Sequence, residues 1–374
     1  MEESRMKIIA SGVLFEGNAE DAKILAFTNL CRLSNGEIMA AFQCGREKNH
    51  AGARVITIRS SDNGRTWHDP VDPFTKWAAE NGYTVHVVYL SEITPGKLFA
   101  SIMLCDHKGD PDLPFFNPKT GGALPIYVGL AESYDNGHVW SCPRLLPTGR
   151  FNDLPSPVMS PIVEGANGRL FLPFETSKTY YDTEKWHHYA ACLESQDGGN
   201  TWPEVKIIAT DPEDRYMYWD HRMVSLGGNR IVDFFWTYDS SLSKDTDVHM
   251  SLSQDGGISW PRTPSPTGIT GQVTSPIFIG NNCILAVTVD RFKDKVIKCH
   301  MSHDLGMKWK DELVIYRHSV PDTISSTLNA NLAEMQYWSF GHPCGIKINS
   351  GEVLIAWYCG SPEKTQIRWA AVEL

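Results

Sequence analysis

Ser60-Ser61-Asp62-Asn63-Gly64-Arg65-Thr66-Trp67 reads S-x-D-x-G-x-x-W, and the same pattern returns four more times along the chain. The copies run from Ser133 to Trp140, Ser195 to Trp202, Ser253 to Trp260 and Ser302 to Trp309. Each has the chemistry of a tight turn. The Ser and Asp side chains can bond backbone groups within it, and the Gly supplies a positive φ that other residues resist. The Trp returns as a large apolar plug whose ring N–H needs a partner.

Alternating apolar runs precede each copy, as in Arg54-Val55-Ile56-Thr57-Ile58 and Val248-His249-Met250-Ser251-Leu252, so each turn is expected to join two strands. The copies recur every roughly 50 to 70 residues, the period of a supersecondary unit with loops of variable length. About four short strands fit one unit, which is a propeller blade.

Expected strands fill five blades in order. They are Ile24-Leu33, Glu37-Gln43 and Arg54-Arg59; Thr84-Leu90, Lys97-Leu104 and Ile126-Glu132; then Pro157-Val163, Arg169-Phe174 and Tyr189-Glu194. Blade 4 takes Met217-Leu226, Arg230-Tyr238 and Asp247-Leu252, and blade 5 takes Val273-Ile279, Cys283-Asp290 and Val296-Met301. The last pieces, Tyr337-Ile348, Val353-Tyr358 and Gln366-Val372, leave a sixth blade one strand short. The N-terminal run Lys7-Phe15 has the character to fill that place and remove an exposed edge. The reading is an all-β chain, residues 1–374 forming one six-bladed β-propeller of four-stranded antiparallel blades.

The five motifs resemble the Asp boxes, or BNR repeats, of the sialidase superfamily, and the resemblance covers nearly the whole chain. It implies a six-bladed propeller with the boxes at the blade periphery and the site at one mouth of the channel. It speaks for the fold more than for the reaction.

The 374 residues are 42% hydrophobic and 21% charged, an ordinary globular composition. A net charge of −10 argues against nucleic acid or an anionic membrane as partner. Nine scattered cysteines without a C-x-x-C pair read as free thiols. The charged start Met1-Arg5 precedes no long apolar stretch, so no signal peptide and a cytoplasmic location are expected.

In such a propeller the entries to the innermost strands and the hairpins between strands two and three share one mouth. Aromatic and charged residues crowd there: Arg46, Glu47 and His50 in blade 1; Glu175 in blade 3; Trp219, Asp220, His221, Arg222, Trp236 and Asp239 in blade 4; Arg291 in blade 5; Tyr337, Trp338 and His342 in blade 6. A sugar site needs such residues, because a pyranose stacks on aromatic faces and its hydroxyls take paired polar partners. Cleavage adds a proton donor and a group that stabilises or captures the oxocarbenium-like centre.

Asp220 leads, lying in a strand expected to be apolar. Strict alternation would put Asp220 and Arg222 on one face and Trp219 and His221 on the other. Tyr337 resembles the sialidase nucleophile and Asp220 its activating carboxylate, with Glu47 or His50 as proton donor. Arg46, Arg222 and Arg291 would hold anionic or hydroxyl groups; Trp219, Trp236 and Trp338 would stack; Glu175, Asp239 and Asp290 are reserves. The R-I-P motif of sialidase blade 1 is replaced by Ala26-Phe27-Thr28-Asn29-Leu30, and Phe235-Trp236-Thr237-Tyr238 stands where another clamp Arg is expected. Two of three clamp arginines are therefore missing, which points to an altered terminal sugar.

Seven histidines (His50, His86, His107, His187, His188, His221 and His342) fall near the mouth or channel, none at the spacing of a helical zinc site. No metal and no cofactor is expected. The leading function is an exo-acting glycoside hydrolase on a terminal, sometimes acidic, sugar or oligosaccharide. A propeller lyase using His as acid or base, with or without a metal, is the second reading; a non-catalytic glycan-binding propeller is the third. Oligomeric state is not legible.

Overall fold

Six antiparallel sheets follow one another along the chain in a computed structural model that describes residues 6–320 and 328–374. Blade 1 pairs Ile24–Arg32, Ile38–Gly45, Arg54–Ser60 and His68–Val71 in that order, and blade 2 pairs Thr84–Thr94, Lys97–Cys105, Ile126–Ser133 and Arg144–Leu146. Blade 3 holds Val163–Glu164, Leu170–Glu175, Ala190–Ser195 and Glu204–Ala209. Blade 4 holds Tyr216–Gly227, Arg230–Asp239, Asp247–Ser253 and Ser265–Thr270, with Lys244–Asp245 added beside its second strand. Blade 5 holds Thr274–Gly280, Cys283–Asp290, Val296–Ser302 and Lys310–Arg317.

Blade 6 takes Phe340–Asn349, Glu352–Gly360 and Thr365–Glu373 from the end of the chain and Lys7–Glu16 from its beginning. The seam is antiparallel from Lys7 opposite Glu373 to Glu16 opposite Gln366. Ion pairs close it at both ends, Lys7 with Glu373 at 2.6 Å and Lys364 with Glu16 at 2.7 Å. The ring thus closes as expected. This closure also explains five S-x-D-x-G-x-x-W turns in six blades: they join strands three and four, and in blade 6 those strands come from opposite chain ends.

Middle strands are buried on both faces because each blade is sandwiched between neighbours. Every residue of Ile38–Gly45, Leu170–Glu175 and Val296–Ser302 is buried, whereas His68–Val71 at the rim is exposed throughout. Continuous apolar runs inside and polar ones outside therefore report radial position.

The turns also fasten blade to blade. In the first, Ser60 Oγ donates to Asp62 Oδ1 at 2.8 Å and accepts from the Gly64 amide at 2.9 Å, while Asp62 takes the Thr66 amide at 2.8 Å. The Ser–Asp and Gly–Ser bonds recur in the other four copies. Each Gly has positive φ and lies against a side chain of the preceding blade: Gly64 on Leu354, Gly137 on Met39, Gly199 on Phe99, Gly257 on Phe171 and Gly306 on Met250. Conformation and space both require glycine there. The Trp N–H closes the turn on the Gly carbonyl in two copies, Trp67 to Gly64 and Trp202 to Gly199.

Two expected strands differ. In Pro157-Val163 only Val163 pairs as a strand, with one bridge from Val158 to Phe174, because Pro157 and Pro161 have no N–H to give a ladder. The first strand of blade 6 begins at Phe340 rather than Tyr337; the residues before it form the helix Leu328–Glu334 and a 3₁₀ turn, Met335–Tyr337. Among the described residues no helix is long and apolar enough to cross a membrane. The nine cysteines are unpaired, six of them buried.

Candidate active site

The innermost strands of blades 1, 4 and 6 share one irregularity. Between the pairs Ala26–Gln43 and Asn29–Ala41, two residues oppose one; the same holds between Trp219–Trp236 and Arg222–Phe234, and between Gly341–Tyr358 and Cys344–Ala356. The first residue of each bulge has left-handed backbone: Phe27 at φ 54°, Asp220 at 46° and His342 at 49°. Non-glycine residues resist this conformation, and bulges of this kind re-aim side chains. All three reach one central cavity of about 140 Å³.

Its wall is largely aromatic. Blade 4 gives Trp219 and Trp236, blade 3 gives Glu175 and Trp186, and blade 5 gives Arg291. Phe115 and Phe116, from the blade 2 hairpin, and Leu332, Met335 and Trp338, from the helix and turn before blade 6, complete it. Lys48 holds this last segment in place: its Nζ donates to the carbonyls of Met335 and Trp338, both at 2.6 Å, and to Tyr358 Oη at 3.3 Å. Entries to inner strands and second hairpins meet here, as the topology requires.

Two carboxylates stand together in the cavity. Glu175 Oε2 accepts the Asp220 amide at 2.7 Å, and Arg222 lies 2.6 Å from Asp220 Oδ1. Burial pushes the Asp220 carboxyl above its ordinary range, with Arg222 pulling the other way and Glu175 adding to the rise. Arg222 Nη2 also lies 2.6 Å from His342 Nε2, which is 3.2 Å from Tyr89 Oη. Arg222 can only donate, so His342 Nε2 is the acceptor of a neutral imidazole. Burial and then the Arg222 charge hold its pKa well below the usual value.

Arg291 is fixed independently. Its Nε donates to the Phe340 carbonyl at 3.1 Å, its amide and Nη1 reach Gln272 Oε1, and its guanidinium lies 4.5 Å over the Trp338 ring. Gln272 Nε2 and Trp236 Nε1 both donate to Asp245, at 3.1 and 2.7 Å. Three other indole N–H groups of the wall, those of Trp186, Trp219 and Trp338, have no partner among the described residues.

The structure brings Asp220, Glu175, Trp219, Trp236, Arg291, Trp338 and His342 onto the cavity wall and sets Arg222 beneath it. It separates others. Tyr337 is 60% exposed and Arg46 and Glu47 lie beside it in a surface groove; His50 lies off the wall and contacts Arg46. His221 turns to the back of the strand, between Asp233 at 2.7 Å and the Phe174 carbonyl at 3.0 Å, because the bulge at Asp220 and His221 breaks the alternation. Asp239 caps the turn at Ser241 and pairs with Arg215, and Asp290 caps the turn at Phe292 and Lys293. Sequence reasoning missed Tyr89, Phe115, Phe116, the turn of Phe27 toward the cavity and the anchoring role of Lys48. An aromatic in an apolar strand carries no sign that a bulge will turn it toward the axis.

A bulged six-bladed propeller with a carboxylate-bearing axial cavity is the class that fold and site define. No protein-family model and no curated protein matches the chain. Among solved structures, a protein of unknown function from Dyadobacter fermentans aligns over 99% of both chains at 17% identity and a TM-score of 0.75. The intramolecular trans-sialidase of Ruminococcus gnavus aligns over 98% of both at 14% identity and 0.66. The α-L-arabinanase of Penicillium chrysogenum aligns over 98% of both at 14% identity and 0.64. The fold is that of propeller sialidases and arabinanases.

Proposed function

We propose that the protein is an exo-acting glycoside hydrolase that cleaves one terminal sugar. The observation that carries the reading is that Asp220 and Glu175 both line an aromatic-rich cavity of about 140 Å³, with the Asp220 backbone amide held by Glu175 Oε2. That volume is close to the roughly 150 Å³ of an engineered cavity that takes one benzene ring, which supports one ring bound rather than a chain. Similarity of fold to sialidases and an arabinanase supports a carbohydrate substrate.

Asp220, its pKa raised by burial, exchanges the proton with the leaving oxygen. Glu175 stabilises or captures the oxocarbenium-like centre. Trp219, Trp236 and Trp338 supply stacking faces, and Arg291 takes a hydroxyl or a single anionic substituent. Arg222 is committed to Asp220 and His342, so among the described residues Arg291 is the arginine on the cavity wall, in place of a clamp of three. This favours a neutral or weakly anionic sugar over a sialic acid. Tyr337, Glu47 and His50 have no part in the bond-breaking step on this reading, because they lie off the wall.

The test is a panel of terminal aryl glycosides and sialosides with the purified protein, with and without EDTA. Release of a monosaccharide that Asp220→Asn and Glu175→Gln abolish supports the reading; silence across the panel, or turnover retained in both variants, overturns it. A binding-only reading has one observation in its favour: Asp220 is already engaged by Arg222 at 2.6 Å. Quenching of the wall tryptophans by a sugar that is never cleaved would decide for it.

A further inference from the structure

Behind the Phe115 wall lies a cluster that the proposed reaction does not use. One ring nitrogen each of His86 and His107 and the sulfur of Cys105 lie within 4.8 Å of one another, all three residues buried. The two Nε2 atoms face each other at 3.4 Å, and both Nδ1 atoms are buried without a hydrogen-bond partner among the described residues. Two imidazoles so placed share at most one proton between them. A buried polar pair this poorly satisfied by the protein alone calls for a further partner.

The backbone presents the three rigidly. Val85 pairs with Leu104 and Val87 with Met103, so His86 is an extra residue squeezed out of the ladder. The partner strand ends at Cys105, and the Asp106 amide is held by the Pro125 carbonyl, which places His107 beside it. The cluster is thus made by the first two strands of blade 2 and the start of the loop that follows them.

We propose that His86, Cys105 and His107 bind one divalent ion of the zinc kind. Zinc takes imidazole nitrogen at about 2.0–2.1 Å and thiolate sulfur at about 2.3 Å in tetrahedral geometry. Two nitrogens on one tetrahedral edge are then about 3.3 Å apart, which matches the observed 3.4 Å. A mixed N₂S set selects zinc or a similar borderline-soft metal over calcium or magnesium, which take oxygen. The fourth position falls to water. The His86 ring packs 5.4 Å from Phe115, so the ion sits behind the cavity wall and fastens the base of the segment that carries Phe115 and Phe116. Its role is to hold that wall, and the proposal stands apart from the identity of the substrate.

The experiment is titration of the chelator-treated full-length protein with Co²⁺ and Zn²⁺, followed by absorbance and calorimetry. One equivalent per chain, a thiolate-to-cobalt charge-transfer band, and competition of Co²⁺ by Zn²⁺ are expected. Cys105→Ala should remove the band, and His107→Ala should weaken affinity by at least about tenfold. Circular dichroism and melting curves check that both variants are folded; if one is not, the wild-type band and stoichiometry still decide. Absence of stoichiometric Co²⁺ binding by the wild type, or a band unchanged in a folded Cys105→Ala protein, overturns the proposal.

Discussion

Replacing Asp245 by Asn should make the protein more stable at neutral pH and remove a step from its pH–stability curve. Asp245 accepts hydrogen bonds from Trp236 and Gln272, and neither donor carries charge. Burial pushes its carboxyl from the ordinary 3.8 to about 6, with those two bonds and then the nearby Arg291 charge only partly offsetting the rise. A rise of about two units corresponds to about 3 kcal/mol, at about 1.4 kcal/mol per unit. The folded protein binds the extra proton between pH 3.8 and 6, so unfolding becomes easier as pH rises through that window. The stability associated with the neutral group is fully present below 3.8 and lost above 6. Asn keeps the acceptor for Trp236 but sets an NH₂ against Gln272, which costs about 1 kcal/mol. The expected net gain at pH 7 is therefore about 2 kcal/mol, turning into a loss of about 1 kcal/mol at pH 3.5. Urea unfolding of both proteins at intervals from pH 3.5 to 8 measures it. A difference between variant and wild type that does not change with pH would refute the argument.

Gly199→Ala should destabilise by about 2–4 kcal/mol, because φ is +91° and a Cβ would collide with the Phe99 ring of the neighbouring blade. Gly198→Ala, with φ +70° and open space around it, should cost only about 1 kcal/mol, and the difference in urea midpoints isolates the inter-blade contact. Gly341→Ala should displace Arg291, whose guanidinium occupies the space of the new methyl, and raise KM for a substrate more than it lowers kcat. Lys48→Met should leave the Met335 and Trp338 carbonyls without their donor, loosening residues 328–338 over the cavity. A gain in protease cleavage within that segment, with the rest of the ring intact, is the expected readout.

Blade count and ring closure were legible because they rest on local chemistry repeated five times. A Ser, an Asp, a Gly and a Trp in fixed order build the same turn wherever they occur, and alternating or continuous apolar runs report radial depth. What the sequence hid depends on single-residue slips in register. Alternation puts His221 on the face of Trp219, yet the bulge that starts at Asp220 leaves Trp219 on the cavity wall and sends His221 to Asp233 on the far side. Phe27, within the expected strand Ile24-Leu33, faces the cavity through a bulge of the same kind. Tyr337 illustrates the other limit: it ends the 3₁₀ turn Met335–Tyr337, three positions before the true start of the strand at Phe340, and the turn carries the phenol to the surface. His86 and His107 read as two of seven histidines near the channel, and their meeting with Cys105 was hidden because it depends on the bulge at His86, where no fixed spacing announces a metal.

Asp220 and Glu175 are proposed to be the working pair of a single-sugar glycosidase. The most direct test is the initial rate of terminal aryl glycoside hydrolysis by the wild type, Glu175→Gln, Asp220→Asn and Tyr337→Phe side by side. The prediction is a measurable wild-type rate, a loss of at least about 100-fold in each carboxylate variant and little change in Tyr337→Phe. A wild type that hydrolyses no glycoside, or a Tyr337→Phe protein that loses as much as the carboxylate variants, would contradict it.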